Sequence, residues 1–339
     1  MKWNELLELL LSGKDLSLED AYNVALAIAE NKIDDVMKSA ILVALRCKGE
    51  GFNEIAGFAK ALRDLAIKVG PFPEALDTAG TGGDKASLFN VSTATAFLLA
   101  AMGYPVVKHG NRSVSGISGS ADLLEALGYK IDLSPEEVEK ALAKSNFAFI
   151  FAPKYHPAMK NVMPVRKALG IRTIFNLIGP LSNPARPGYQ VLGVSKEWML
   201  EPMAKALSTL GIKRAAVIHG RPGIDEVSPI STTQVYLIED GEITKSVVDV
   251  SDFGARALES LDPLRVSSVE ESKEKVLRAF RGEVPEAIFL GLNAAMALHV
   301  LSEKDLREAY DEVIDFIKSN DVIERIRRIV EASGGKPTF

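Results

Sequence analysis

Residues 77–94, DTAGTGGDKASLFNVSTA, place a glycine-rich turn between two apolar segments and could bind an anion. Glycines between a strand and a helix leave backbone N–H groups open to phosphate oxygens, and polar side chains at the helix start add further donors. The candidate groups are Gly80, Gly82, Gly83, Asn90, Ser92 and Thr93. The spacing fits neither the Walker A nor the GxGxxG pattern. A tight turn that needs glycine for positive φ explains GTGG alone equally well.

Residues 108–128, KHGNRSVSGISGSADLLEALG, form a second polar loop that follows the next predicted strand. Lys108, His109 and Arg112 make a local positive cluster in a chain of formal net charge −5. Because the carboxyl ends of parallel strands share one edge of a sheet, we expect this cluster beside the first loop, where it could hold two anions or one long polyanion. The alternative is an exposed polar loop, which two such segments at successive strand ends disfavour.

Asp225 and Glu226 lie side by side in GIDEVSP, just after the predicted strand AAVIHG. Adjacent carboxylates in a loop can converge on Mg²⁺, which binds few protein carboxylates together with water and substrate phosphates. An exposed acidic loop is the more common outcome for such a pair. The residues alone favour that second interpretation.

The composition excludes several classes of protein. The 339 residues are 47% hydrophobic, enough for a substantial core, and their acidic balance gives no broad attraction to nucleic acid or anionic membranes. The single cysteine, Cys47, excludes an intrachain disulfide framework and suits a reducing compartment. The N-terminal residues lack the pattern of a signal peptide, and no segment is apolar for long enough to span a bilayer. We therefore expect a cytoplasmic protein without nucleic-acid or membrane partners.

Hydrophobic periodicity divides the chain into two kinds of structure. Residues 1–70 show only helical spacing, whereas short apolar runs alternate with helical stretches after Pro71 and Pro73. That alternation predicts an α/β fold with a mostly parallel sheet covered by helices. Asp240-Gly241 between two β-prone runs predicts a hairpin, and the last 70 residues return to helices.

Several motifs together resemble those of the anthranilate phosphoribosyltransferase family. They are GTGGD, NVST, KHGNR, SGSAD, EALG, HPAMKNVMPVRKALGIRTIFNLIGPLSNP and GIDEVSP. The resemblance covers essentially the whole chain. It implies transfer of the phosphoribosyl group from 5-phosphoribosyl 1-pyrophosphate (PRPP) to the amine of anthranilate in tryptophan biosynthesis, with pyrophosphate as leaving group and one or two Mg²⁺ ions.

The resemblance also implies an architecture. A small all-helical domain, residues 1–70 with about 157–180 packing back, is expected to form a homodimer interface. A larger α/β domain, residues 74–156 and 185–339, is expected to bind the phosphorylated sugar and magnesium. The fold is that of the nucleoside phosphorylases and phosphoribosyltransferases, with the substrates in the cleft between the domains.

The resemblance assigns site residues one by one. For PRPP these are Gly80, Thr81, Gly82, Gly83, Asp84, Ser87, Asn90, Val91, Ser92, Thr93, Lys108, Asn111, Arg112, Ser113, Ser115 and Gly116. For anthranilate they are Gly80, His109, Asn111, Ser120, His156, Arg166 and Pro180, with Arg166 on the carboxylate. For the metal they are Ser92, Asp225 and Glu226. We expect one helix, HPAMKNVMPVRKALG, to begin at His156 and to carry Arg166. His156 could instead only cap this helix, Arg166 could make a surface ion pair, and Pro180 could only form a turn.

One position departs from the family pattern. Family members usually carry Thr two residues before the Asn of NxST, where this chain has Leu88 with Ser87 beside it. Either Ser87 substitutes with a shifted backbone or the contact to the sugar phosphate is absent. GDKAS also echoes the GDKxS of the pyrimidine nucleoside phosphorylases, so Lys85 is a further candidate anion contact.

The chemistry implied by the resemblance needs stabilisation of a leaving pyrophosphate more than it needs a base. We expect no essential general base, with Lys108, His109 and Arg166 positioning the substrates, and His219 and His299 in structural roles. A nucleoside phosphorylase is the nearest rival, which KHGNR, Arg166 and the Asp225-Glu226 pair argue against. A catalytically inactive protein that binds nucleic acid is the rival from another class, which the acidic balance disfavours.

Overall fold

The N-terminal region folds into four helices, as their apolar spacing predicts. The computed structural model describes residues 2–83, 86–113, 117–319 and 321–339. The first helices are α1 (Trp3–Leu11), α2 (Leu18–Ala29), α3 (Asp35–Lys48) and α4 (Phe52–Leu65). Ser17 caps α2, because its hydroxyl accepts the backbone N–H of Asp20 at 3.1 Å.

A seven-stranded sheet organises the rest of the described chain. The strands are β1 (Leu76–Gly80), β2 (Val106–Gly110), β3 (Phe147–Phe151), β4 (Tyr189–Gly193), β5 (Arg214–Gly220), β6 (Thr233–Glu239) and β7 (Glu242–Val248). Their spatial order is β3-β2-β1-β4-β5-β6-β7, with β1 to β5 parallel and the last two pairings antiparallel. Asp240 and Gly241 join β6 to β7 with positive φ at both residues, so the predicted hairpin is confirmed.

Helices cover both faces of this sheet. They are α5 (Val91–Met102), α6 (Ser120–Ala126), α7 (Pro135–Ser145), α8 (Ala152–Tyr155), α9 (Met163–Leu169), α10 (Ile174–Ile178), α11 (Leu200–Thr209), α12 (Val269–Phe280), α13 (Glu286–Ser302), α14 (Leu306–Lys318) and α15 (Val322–Ala332). Helices α5 and α13 are apolar nearly all round and lie buried in the larger core. The predicted α/β class with a small helical region is confirmed.

The segment that follows His156 differs from its prediction. We expected one helix beginning at His156, but the structure has a 3₁₀ turn at Pro157–Asn161 followed by the separate helix α9. Pro157 and Pro164 each lack a backbone N–H, so a continuous helical hydrogen-bond ladder cannot run through this stretch.

A second hydrophobic core joins the N-terminal helices to residues from the middle of the chain. Val162, Val165, Ile174 and Ile178 belong to it, and the rings of Phe58 and Phe175 meet edge to face with centroids 5.7 Å apart. The other face of β4 and β5 packs into the same core through α11. Residues about 160–180 therefore pack with α3 and α4.

The sheet order places the loops expected to carry chemistry at one edge. Successive strands run outward from β1 in one direction and from β4 in the other, so the order reverses between these two neighbours. A crevice forms at the carboxyl ends of strands at such a point. The loops after β1, β2, β4 and β5 all lie on this edge. Within the described residues, no helix combines the length and apolarity needed to cross a membrane.

Candidate active site

The glycine-rich loop after β1 is in direct contact with the carboxylate loop after β5. The N–H of Gly82 donates to Oδ2 of Asp225 at 2.8 Å. A Cβ on Gly80 would lie 2.4 Å from the same oxygen, and a Cβ on Gly193 would lie 1.6 Å from the Asp225 carbonyl oxygen. Glycine at both strand ends thus permits the close approach of Asp225. Two motifs about 140 residues apart in sequence meet here, as expected for strand ends that share an edge.

The loop that carries Asp225 and Glu226 is fixed from both sides. Backbone hydrogen bonds join Gly220 and Ile224 in both directions, at 3.0 and 2.9 Å. On the far side, the N–H of Val227 donates to Oδ1 of Asn293 on the buried helix α13 at 2.9 Å. The carboxylates are therefore presented on a preorganised turn.

The residues at this junction fit a magnesium ion that is shared with a phosphorylated substrate. The predicted metal residues could supply carboxylate oxygens from Asp225 and Glu226 and a hydroxyl from Ser92, which lies in the first turn of α5. Ser92 is held near β1, because its carbonyl accepts the hydroxyl of Thr78 at 2.9 Å. In the described residues no group of three or more His, Cys, Asp or Glu side chains could form a protein-only cage. This donor set suits Mg²⁺ completed by water and phosphate.

Asn90 ties the two polar loops together at the start of α5. Its Nδ2 donates to the Ser118 carbonyl at 3.0 Å, the Ser118 hydroxyl at 2.9 Å and the Gly119 carbonyl at 3.0 Å. The predicted adjacency of the first and second loops is present. In the structure this amide is committed to loop–loop contacts, and Val91 and Thr93 lie buried behind it in the helix.

The segment with the family departure is anchored to residues 264–266. Leu88 forms an antiparallel bridge with Arg265, and the Ser87 carbonyl accepts the N–H of Val266 at 2.8 Å. Ser87 adopts φ of 54°, in the left-handed region that residues with a side chain seldom occupy, and its side chain is exposed. The backbone at Ser87 is thus displaced from an ordinary strand path.

Lys108 and His109 lie inside β2 and not in the loop after it, which corrects the sequence interpretation. The ammonium of Lys108 is buried and donates to the carbonyl and, at 3.3 Å, to the hydroxyl of Thr78. Burial lowers the pKa of Lys108 to about 8. This lysine therefore stabilises β1 from the neighbouring strand β2.

Asp77 is a buried carboxylate that the sequence interpretation missed. It accepts the N–H of His109 at 3.3 Å and Nδ2 of Asn183 at 2.9 Å, and Asn183 also donates to the Val107 carbonyl at 2.9 Å. Burial raises the pKa of Asp77 to about 6. An aspartate between the apolar residues of ALDTAG was the available signal, because a buried charge needs partners.

The two predicted anthranilate-site histidines are in contact with each other. Nε2 of His109 and Nε2 of His156 lie 3.1 Å apart, so one ring donates a proton to the lone pair of the other. Burial, with the neighbouring His156 as a smaller cause, holds the pKa of His109 well below its usual value, and burial lowers the pKa of His156 to about 4. Both rings are neutral at pH 7.

Arg112 and Ser113 are further described residues of the second loop. Arg112 is half exposed, and its Nη2 and Nε donate to the two carboxylate oxygens of Glu125 at 2.7 and 3.0 Å. The guanidinium also lies over the ring of Phe151. Oδ2 of Asp122 accepts the N–H groups of Ser113 and Gly119, each at 2.8 Å. The predicted contacts Asp84, Lys85, Ser115 and Gly116 lie outside the described residues.

Asn111 and Ser120 are joined at the top of β2. The Ser120 hydroxyl donates to the Asn111 carbonyl at 3.4 Å, and the N–H of Ala121 donates to the same oxygen at 3.2 Å. The Asn111 side chain is exposed, and its Oδ1 accepts the N–H of Arg112 at 2.7 Å.

Arg166 lies on the helix α9. Its Nη1 is 3.8 Å from Sδ of Met163, its guanidinium is 5.9 Å from the ring centre of Phe175, and burial lowers its pKa. Among the described residues it has no ion-pair partner and no hydrogen bond to His109 or Asn111. The carbonyl of Pro180 accepts Nε2 of Gln190 at 2.8 Å.

Two further contacts to the glycine-rich loop were not predicted. Oγ1 of Thr81 accepts the N–H of Ser195 after β4 at 3.1 Å, and Nη2 of Arg172 donates to the Gly82 carbonyl at 3.3 Å. No local pattern marks Arg172 or Ser195, since both contacts depend on strand order. His219 and His299 each make a short contact to a backbone carbonyl, at 2.7 and 2.6 Å.

The chain is similar to proteins of known family over nearly its full length. Residues 4–66 match the helical bundle domain of a glycosyl transferase family, and residues 73–321 match its a/b domain. The anthranilate phosphoribosyltransferase of Ignicoccus hospitalis is 63% identical over 334 residues, which cover 98% of each chain.

Solved structures give the same result. The crystal structure of anthranilate phosphoribosyltransferase from Thermus thermophilus has a TM-score of 0.89 and 36% identity, covering 97% of this chain and 99% of that one. The Saccharomyces cerevisiae enzyme in complex with PRPP and Mg has a TM-score of 0.87 and 26% identity, covering 98% of both chains.

Proposed function

Because this chain belongs to the anthranilate phosphoribosyltransferase family, we propose that the loops at the carboxyl edge of β1, β2 and β5 hold the two substrates of that reaction. The protein transfers the 5-phosphoribosyl group from PRPP to the amine of anthranilate, giving N-(5-phosphoribosyl)anthranilate and pyrophosphate, in tryptophan biosynthesis. The observation that carries the site assignment is the contact between Gly82 and Asp225.

PRPP is placed along the glycine-rich loop and the start of α5. The glycines expose backbone donors there, and the helix N-terminus adds a favourable dipole for a dianionic phosphate. Arg112 lies in the second loop, where its guanidinium pairs with Glu125. A phosphate could replace Glu125 as the bidentate partner of this guanidinium. The buried Lys108 adds positive charge beneath the loop.

The carboxylates of Asp225 and Glu226, with the hydroxyl of Ser92, would hold magnesium against the pyrophosphate. Bound there, Mg²⁺ would neutralise charge that develops on the departing group as the bond from C1 to oxygen breaks. One ion or two is compatible with this donor set, and the Mg-bound state of the Saccharomyces cerevisiae relative supports magnesium as the cofactor. The preorganised turn that carries the pair avoids a reorganisation cost during the reaction.

Anthranilate is placed between α9, the histidine pair and Pro180. Its carboxylate needs a cation, and Arg166 is partly buried without an acidic partner among the described residues. The neutral rings of His109 and His156 give a polar but uncharged wall. The aryl amine is neutral at pH 7 and carries a lone pair, so orientation behind C1 replaces the need for a general base.

The domain division, the oligomeric state and the compartment are part of the proposal. Residues 1–70 with about 157–180 form the helical domain, and residues 74–156 and 185–339 form the α/β domain. The exposed apolar side chains Leu11, Val36, Met163 and Ile171 on the helical region support a homodimer interface. The single cysteine supports a cytoplasmic, reducing environment.

Anthranilate fluorescence tests the proposal directly. The signal should fall only when PRPP and Mg²⁺ are both present, and Asp225→Asn should weaken the dependence on Mg²⁺ and lower the rate. Inorganic phosphate with a nucleoside should give no ribose 1-phosphate, which separates this reaction from phosphorolysis. Consumption of anthranilate that survives removal of Mg²⁺ by chelation would contradict the metal assignment.

A further inference from the structure

Arg172 reaches the glycine-rich loop from the segment between α9 and α10. Its Nη2 donates to the Gly82 carbonyl at 3.3 Å, and a Cβ on Gly83 would lie 3.0 Å from the same nitrogen. The guanidinium therefore lies against two successive residues of the loop assigned to PRPP. Arg172 is not among the residues assigned above to PRPP, anthranilate or magnesium.

The backbone that carries Arg172 is fixed to the helical region. The next residue, Thr173, is 1% exposed, and its N–H donates to Oδ1 of Asn176 at 3.0 Å at the start of α10. Phe175 follows in the second core, where its ring meets that of Phe58 on α4. The Arg172 side chain therefore extends from a firmly packed segment, and its contact joins that segment to the loop after β1.

Arg172 holds a carbonyl and not a carboxylate. Within the described residues its guanidinium has no ion-pair partner, and its side chain is half-buried. A guanidinium remains protonated at neutral pH. Its positive charge is therefore not neutralised by an acidic side chain of the described residues and remains next to the loop that is assigned to an anion.

The N–H groups of the glycine-rich loop differ in their availability. The N–H of Thr81 donates to the Gly193 carbonyl at 2.9 Å, and the N–H of Gly82 donates to Oδ2 of Asp225 at 2.8 Å. The N–H of Gly83 makes no hydrogen bond within the described residues, and Gly83 is exposed. Of these three successive donors, the Gly83 N–H is the one open to a phosphate oxygen.

The hydrogen bond from Arg172 fixes the direction of this open donor. The peptide bond between Gly82 and Gly83 is trans, so the Gly82 carbonyl and the Gly83 N–H point in opposite directions across one planar unit. Gly82 and Gly83 have φ of 61° and 79°, and glycine permits several orientations of such a peptide unit. Because Arg172 binds the carbonyl, it selects the orientation in which the Gly83 N–H points away from the guanidinium.

We propose that Arg172 is a positioning residue for the pyrophosphate group of PRPP. By holding the Gly82 carbonyl, it directs the Gly83 N–H at a pyrophosphate oxygen, next to the metal loop that Gly82 contacts through Asp225. This role rests on the function proposed above, which supplies the pyrophosphate. A fixed donor binds this group more tightly than a mobile one, because less conformational entropy is lost on binding.

Titration calorimetry with pyrophosphate and Mg²⁺, without anthranilate, tests this role. Arg172→Met keeps an unbranched side chain but removes the donors, and it should weaken pyrophosphate binding by about tenfold. Arg172→Lys can still donate one hydrogen bond to the carbonyl, so its affinity should stay within about threefold of that of the unaltered chain. Binding of ribose 5-phosphate, which lacks the pyrophosphate, should change by less than about twofold in both variants.

Lys196→Met is the matched control. This exposed lysine and Arg172 line the same cavity of about 150 Å³, but within the described residues Lys196 makes no hydrogen bond to the glycine-rich loop. Its loss should change pyrophosphate binding by less than about twofold. Equal weakening by Lys196→Met and Arg172→Met would show that overall positive charge, and not the hydrogen bond to Gly82, is responsible, and would overturn the role.

Steady-state kinetics separates positioning from a merely structural contact. Arg172→Met should raise the KM for PRPP by about tenfold and change the KM for anthranilate by less than about twofold. A lower Tm with unchanged pyrophosphate affinity would show that Arg172 only joins two segments, and would overturn the role. That result would leave the proposed function intact, whereas an unaltered chain that fails to consume anthranilate with PRPP and Mg²⁺ would refute the function itself.

Discussion

Burial decides the charge of individual residues around the proposed anthranilate position. Burial keeps the His109–His156 pair neutral, whereas Arg166 remains cationic because its ordinary pKa is so high that a modest lowering leaves it protonated. Asp77 and Lys108 remain charged at pH 7, since their pKa values of about 6 and about 8 fall on opposite sides of that pH. Arg166, a partly buried cation with no ion-pair partner among the described residues, is suited to a substrate carboxylate.

Arg166→Ala should weaken anthranilate binding selectively. A charge-assisted hydrogen bond is worth about 1.5–3 kcal/mol, so the KM for anthranilate should rise by about tenfold or more while the KM for PRPP changes by less than about twofold. Steady-state kinetics with each substrate varied in turn measures both. Lys167→Ala, the neighbouring exposed position on α9, is the matched control. A larger effect on PRPP than on anthranilate would refute the assignment.

His156 should make the folded protein sensitive to acid. Its pKa is about 4 when folded and about 6.5 when unfolded, so the folded state binds fewer protons between these values and stability is lost as pH falls through them. At pH 5 the loss relative to pH 7 is about 2 kcal/mol. Urea unfolding at both pH values should show a smaller loss for His156→Gln than for the unaltered chain.

Asp77 changes the stability of the fold with pH in the opposite direction over part of this pH range. Its folded pKa of about 6 is raised, so the folded state binds more protons below that value and is favoured by acid. Because Asp77 is present in both proteins, its contribution cancels in the comparison with His156→Gln. Equal acid sensitivity in the two proteins would mean that His156 is protonated in the fold.

At the scale of elements, the strand ends define the site. The alternation of short apolar runs predicted the mostly parallel sheet, and Asp240-Gly241 predicted the β6–β7 hairpin. The sequence placed the first two loops on one edge because that follows from parallel pairing. The contacts of Thr81 with Ser195 and of Asp77 with Asn183 could not be predicted from the sequence, because they depend on the strand order in which β4 lies beside β1.

Gly80→Ala should disturb the metal site without unfolding the sheet. The added methyl would lie 2.4 Å from Oδ2 of Asp225, the end of a side chain that can turn away. We expect kcat/KM for PRPP to fall by about tenfold or more and the Mg²⁺ concentration for half-maximal rate to rise, because a carboxylate ligand is displaced.

Gly211→Ala is the control for this substitution. Gly211 has φ of 76° and open space around its Cα, far along the chain from the site, so alanine there adds backbone strain without a new contact. A lower Tm with unchanged kinetics is expected for Gly211→Ala. Similar kinetic losses in both variants would show that backbone strain, not displacement of Asp225, causes the effect.

At the scale of the whole molecule, two cores meet along the returning segment. Residues about 160–180 pack with α3 and α4, and Asn183 in the segment that follows donates to Asp77 of β1 and to the Val107 carbonyl of β2. The family resemblance led us to expect that residues about 157–180 pack back on the N-terminal helices. Hydrophobic periodicity alone does not say which helices such a segment will contact. The same helical region has apolar side chains that remain exposed to solvent in the single chain.

Val36→Asp should convert the proposed dimer to a monomer. Val36 is 80% exposed at the start of α3, and a charge buried without a partner in an interface is strongly unfavourable. Analytical ultracentrifugation should show a dimer for the unaltered chain and a monomer for the variant. Val247→Asp, which alters a 61% exposed valine on β7, should stay dimeric. If the unaltered chain is a monomer at micromolar concentration, the proposed dimer interface is wrong.

The most direct test of the central claim is a crystal structure of the chain with PRPP and Mg²⁺. We expect the pyrophosphate along residues 80–93 and 108–116, with the metal between it and the loop that carries Asp225 and Glu226. A pyrophosphate bound away from both loops, or a metal with no ligand from that loop, would contradict it.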